Sequence, residues 1–204
     1  MVHQLSPHAR IVALGLLVTV ATQIVYFLAL SDVGIVEGWP LRSTLWAVET
    51  IVFALVAATA FAALPRDPER GLVWGLLGVS GVFNALQSGI GLSMFLPLTE
   101  AGEDFAPVLS TVVAGAFLFY LLAKAMIGAA GLILGARLFR SVSGGQKAVG
   151  AITAIAGLAA LGTGLFALPQ GMAFIFPAGA AGTVATLLVG LCLLLSPGEA
   201  VSRS

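Results

Sequence analysis

Residues 11–30, IVALGLLVTVATQIVYFLAL, run for twenty positions without a charged side chain. A helix of that length rises about 30 Å, the thickness of a bilayer's hydrocarbon core, where every backbone N–H and C=O must find its partner within the chain. The pattern recurs. Apolar stretches at about 10–30, 44–64, 71–98, 107–136, 147–168 and 174–195 alternate with short segments rich in Gly, Pro and charge. The joints LPRDPERG, TEAGEDFAP, RSVSGGQK and LPQGMAFIFP carry turn residues, and SDVGIVEGWPLRS at 31–43 is expected to be a loop. The sequence therefore predicts an all-α polytopic membrane protein, with residues 1–204 forming a single domain of six transmembrane helices.

Composition agrees with this class. Of 204 residues 59% are hydrophobic and 9% charged, and the mean hydropathy is +1.09, more apolar surface than a soluble domain can hide. The alternating segments of about ten residues that mark an outer-membrane barrel do not occur. The first run exceeds the h-region of a signal peptide and no clean A-x-A-like site follows it, so it is expected to be a retained span.

Several chemistries are excluded. The single cysteine, Cys192, lies in the last run and has no partner for an intramolecular disulfide. His3 and His8 both precede the first span, which leaves no intramembrane haem or metal centre built on histidine. No G-x-S-x-G, H-E-x-x-H or phosphate-cradling glycine loop occurs, so neither an enzyme nor a cofactor is expected. Nucleic acid is not an expected partner. The pore signatures of aquaporins and potassium channels are missing as well; N-A-L at Asn84 is not an NPA motif.

Lysine and arginine set the expected orientation. With both termini cytoplasmic, that side holds Arg10, Arg66, Arg70, Arg137, Arg140, Lys147 and Arg203, and the outside only Arg42. The outer loops carry Asp32, Glu37, Glu100, Glu103 and Asp104, which read either as a solvated outer surface or as a negative mouth that favours cations over anions. The expected location is a bacterial cytoplasmic (inner) membrane.

A few polar groups fall inside these spans, where they are costly and usually functional. In the third span Asn84, Gln87, Ser88 and Gly91 follow i, i+3, i+4, i+7 and share one face; in the fourth, Tyr120, Lys124 and Gly128 do the same. Measured from Pro97 and Pro107, a rise of 1.5 Å per residue puts Asn84 about 20 Å deep and Lys124 about 25 Å deep. An Asn84 carbonyl is therefore expected to accept from Lys124, and Gln23 with Glu49, both roughly 10 Å deep, to form a second pair. Snorkelling of Lys124 to the cytoplasmic headgroups is the alternative. A buried Glu49 could carry a proton. Together these seven residues describe a ligand-binding or pathway lining open to the outside and closed toward the cytoplasm.

Small residues mark packing faces. Gly150, Thr153, Ala154, Gly157 and Gly164 recur at helical spacing, and Gly131 with Gly135 form a GxxxG, which serves close helix packing or a homo-oligomer face. A faint repeat places Gln23, Gln87 and Gln170 in odd spans and STLWAV, STVVAG and GTVATL at the start of even ones. Length, six spans and the A-x-x-x-A spacing of Ala9 and Ala13 resemble the substrate-capture subunits of energy-coupling-factor vitamin importers, in architecture only. The resemblance implies a membrane-embedded small-molecule binder that needs a protein partner. The function expected is a small-molecule transporter or such a binding subunit, with a structural or lipid-binding subunit of a larger complex as the alternative.

Overall fold

The computed structural model describes residues 6–195 and is built of helices joined by tight turns. His3 and Arg203 lie outside the described residues. Among the described residues five helical stretches are long and apolar enough to cross a membrane: Pro7–Leu30, Trp39–Ala63, Pro68–Glu100, Glu103–Ser141 and Gly145–Leu195. The chain is a multi-pass membrane protein.

Helix α1 (Pro7–Leu30) starts where the sequence says it should: Ser6 Oγ accepts from the Ala9 N–H at 3.2 Å, and Pro7 occupies the first turn. Helix α2 (Trp39–Ala63) begins within the segment expected to be a loop. Pro40 sits in its first turn, where the missing N–H has no bond to lose, so the proline opens the helix. Helix α3 (Gly71–Ile90) continues through a π turn (Gly91–Phe95) into a short helix α4 (Leu96–Glu100). Pro97, expected at a span end, is accommodated inside this continuous rod. A proline clashes with the carbonyl four residues back, and the wide turn preceding it relieves the clash.

Helix α5 (Ala106–Ser141) is the longest, at 36 residues or about 54 Å. Helices α6 (Gly145–Ala167) and α7 (Ile175–Leu195) are one apolar stretch broken by a 3₁₀ turn. Gly171 at φ +59 reverses the chain there, a conformation glycine adopts without strain, and the two helices pack on each other.

Helices α1, α2, α3, α5 and α7 form a closed ring in that order, each packed on the next and α7 returning to α1, with α6 outside against α5 and α7. The α5–α6 seam is the closest. A Cβ on Gly128 would lie 2.5 Å from the Leu161 nitrogen, and Gly131, Gly135, Gly150 and Gly157 meet backbone across the same seam. The GxxxG face is therefore covered by α6 of the same chain and is not free for a homo-oligomer. Without hydrophobic drive between helices in lipid, this close approach supplies the packing.

Toward one end, Val12, Leu16, Val56, Trp74, Leu77, Ile127, Val189 and Leu193 fill the ring. This end carries Arg66, Arg70, Arg137, Arg140 and Lys147, and Arg137 Nη1 donates to the Glu69 carbonyl at 2.7 Å. Asp67 organises its turn by accepting from Trp74 Nε1 at 2.9 Å and pairing with Arg70. The opposite, acidic end holds Asp32, Glu37, Glu100, Glu103 and Asp104.

Candidate functional site

Between the apolar fill and the acidic end, every helix of the ring contributes a polar side chain. Lys124 on α5 is completely buried, and its ammonium donates to Gln23 Oε1 on α1 at 2.9 Å. Helices α1 and α5 are not neighbours in the ring, so the bond crosses its interior. Thr183 on α7 donates to the same Gln23 oxygen at 2.7 Å. Tyr120, one turn from Lys124, presents its ring 5.0 Å from the ammonium and its hydroxyl to Thr183. Snorkelling to the basic end does not occur.

Glu49 on α2 is buried and accepts from Thr22 Oγ1 at 2.6 Å. Thr22 and Gln23 are consecutive on α1. One helix thus holds a carboxylate through one residue and an ammonium through the next. The two heads do not pair directly: among the described residues no ion pair within 4.0 Å joins them.

The expected pairings are therefore exchanged. Asn84 does not meet Lys124; its Nδ2 donates to the Ser80 carbonyl at 3.1 Å and to Ser80 Oγ at 3.3 Å, within its own helix. Its Oδ1 is fully buried and accepts nothing among the described residues. Gln23 does not meet Glu49.

The reason lies in register and side-chain direction. Ser80 reaches the Ala123 carbonyl, so Asn84 stands about one turn nearer the acidic end than Lys124. Helical side chains lean toward their own N-terminus, which tips Lys124 toward the acidic end and Gln23 on antiparallel α1 toward the basic end. The heads meet.

Ser88 and Asn84 do share a face, with Ser80 a turn further. Ser88 Oγ pairs with Thr50 Oγ1 at 2.9 Å, and Ser80 Oγ donates to the Ala123 carbonyl at 3.0 Å. These bonds seat α3 on α2 beside Glu49 and on α5 beside Lys124. Gln87 is buried and makes no side-chain hydrogen bond among the described residues. Gln170 lies exposed in the α6–α7 turn, so the three glutamines are not equivalent and the repeat does not extend to their environments.

Three contributors escaped sequence reasoning. Gly179 and Gly182 leave the room in which Tyr120 and Lys124 sit: an added Cβ would lie 2.8 Å from the Tyr120 hydroxyl and 2.5 Å from Lys124 Cδ. Arg42, expected on the outer side of the membrane, is 4% exposed. Its Nη2 caps α1 through the Leu30 and Val33 carbonyls, and its guanidinium lies 5.4 Å from the Tyr26 ring and 5.9 Å from Trp46. The small-residue run PAGAAGT in α7 and the position of Arg42 two turns before Glu49 were the available signals.

Toward the acidic end Trp46 stacks on Tyr26 and meets Trp39 and Phe95 edge-on, with Gly91 against Trp46. The polar centre lies between this aromatic layer and the apolar fill, with Gln23, Tyr120 and Thr183 half-buried. Comparison of the chain with protein-family models, curated proteins and solved structures finds no match.

Proposed function

We propose that the chain is a small-molecule transporter, or the membrane-embedded substrate-binding subunit of one, whose site is the polar centre around Lys124, Gln23, Glu49 and Asn84. The observation that carries this reading is the complete burial of the Lys124 ammonium, held across the ring by a neutral amide. An ionisable group in a transmembrane segment is expensive, and such groups mark substrate and ion pathways. A scaffold gains the same packing from a leucine or methionine.

The reading places six crossings in a bacterial cytoplasmic membrane, both termini on the cytoplasmic side. Support for that orientation is the collection of Arg66, Arg70, Arg137, Arg140 and Lys147 at one end of the bundle. The aromatic layer acts as the gate on the outer side, and its opening admits substrate. No catalytic role is assigned; energy comes from an ion gradient or a protein partner.

Native mass spectrometry of the protein in mild detergent, beside a Lys124→Leu variant, tests the reading. A stoichiometric small molecule retained by the wild type and lost from the variant is expected. A bare chain in both samples, or one carrying only phospholipid or a second protein, would replace it with the structural or lipid-binding alternative.

A further inference from the structure

Resting on the transport reading, we infer that the substrate is a small zwitterion carrying a carboxylate and an ammonium with N–H groups, of the α-amino-acid class. The carboxylate is taken by Lys124 and the ammonium by Glu49.

Two buried ionisable heads of complementary chemistry, Glu49 and Lys124, are held apart. Attraction between a carboxylate and an ammonium grows as the dielectric falls, so a purely structural pair gains most by direct contact. Here each head is instead tied to a neutral group, Glu49 to Thr22 and Lys124 to Gln23. Glu49 on α2 and Lys124 on α5 belong to helices that are not neighbours in the ring.

The second argument is unused bonding capacity. An ammonium has three donors, and Lys124 uses one; a carboxylate has two oxygens, and Oε1 of Glu49 takes the single bond it accepts among the described residues. Asn84 adds an orphaned, fully buried acceptor. It stands on α3 one turn from Ser88, which meets Thr50 of α2, and one turn from Ser80, which meets the Ala123 carbonyl of α5. Buried polar groups are normally satisfied, and an acceptor left open at this level asks for an N–H.

A zwitterion offers each buried head a partner of complementary chemistry and itself brings no net charge into the centre. The unused acceptors Glu49 Oε2 and Asn84 Oδ1 call for N–H donors, which a trimethylammonium lacks.

The experiment is binding to the purified wild-type protein in detergent, read by thermal shift and native mass spectrometry. The probes are the common α-amino acids, each beside its deaminated carboxylic acid, its decarboxylated amine and, for glycine, the trimethylated betaine. At least one amino acid is expected to bind with an affinity tenfold or more above its acid, its amine and the betaine. Glu49→Gln is expected to bring the amino acid down to the affinity of its acid, and Lys124→Gln to that of its amine. An acid or amine binding the wild type as tightly as its amino acid overturns the zwitterion while leaving the transport reading intact. A co-purified small molecule of any other class does the same. Absence of every small molecule, added or co-purified, overturns both. The wild-type comparison stands even where a variant fails to fold.

Discussion

Replacing Gln23 with leucine isolates the bond that spans the ring. The change removes the oxygen that accepts from Lys124 at 2.9 Å and from Thr183 at 2.7 Å. Two magnitudes compete. Interhelical hydrogen bonds between neutral groups in membranes average about 0.6 kcal/mol, so two of them amount to roughly 1 kcal/mol. Leaving a buried charge without its partner costs about 3–5 kcal/mol. Lys124 is completely buried and makes no other hydrogen bond among the described residues. The Tyr120 ring 5.0 Å away supplies about 0.5–2 kcal/mol and already does so in the wild type. The unpaired charge therefore dominates, and Gln23→Leu is expected to destabilise the protein by about 3 kcal/mol. Adding Lys124→Met removes the charge at similar volume. The double variant should recover most of the loss, a coupling of about 2 kcal/mol. Reversible unfolding in mixed micelles, followed through the fluorescence of Trp39, Trp46 and Trp74, measures each corner of the cycle. A Gln23→Leu loss below about 1 kcal/mol, the neutral-bond value, would refute the reasoning, as would a double variant no better than the single.

Three other outcomes follow from the packing. Gly182→Ala puts a methyl 2.5 Å from Lys124 Cδ and should cost about 1–3 kcal/mol in the same assay, while Gly75→Ala, with nothing within 4 Å of its Cβ, should be neutral or slightly stabilising. Asp67→Ala strips the acceptor from Trp74 Nε1 and from Arg70, and is expected to cost about 1–3 kcal/mol with a change in Trp74 emission. In a cysteine-free background, Ser143→Cys and Glu103→Cys, both at exposed positions, should react with an impermeant maleimide from opposite faces of sealed vesicles. Labelling of both from one face would contradict the alternation of the helices.

Much of the fold was legible because hydrocarbon imposes local rules. A span must be about twenty apolar residues long and must hydrogen-bond within itself, so runs such as 11–30 declare themselves without reference to the rest of the chain. Turn residues at the joints, the Ser6–Pro7 start of α1 and the small residues of α5 and α6 are equally local signals. So is the burial of Lys124 and Asn84: Arg137 and Arg140 already marked the far end of the lysine's helix, and helical periodicity fixed which residues share its face.

Periodicity does not fix how far one helix slides or turns against another, and that is what the tertiary structure decided. Hydropathy along α5 could not reveal that Ala123 would meet Ser80. Packing brought Lys124 to Gln23, 101 residues away, and left Asn84 with an open acceptor. Gly179 and Gly182 read as generic small residues until the ring closed α7 onto α5 and gave them Tyr120 and Lys124 to accommodate. Gly131 and Gly135 could have served a second copy of the chain; the turn after Ser141 laid α6 over them first. The sequence determined which groups enter the membrane. The assembly of the ring determined which of them meet, because side-chain partners across non-adjacent helices depend on axial offsets and rotations set by all the packing contacts together.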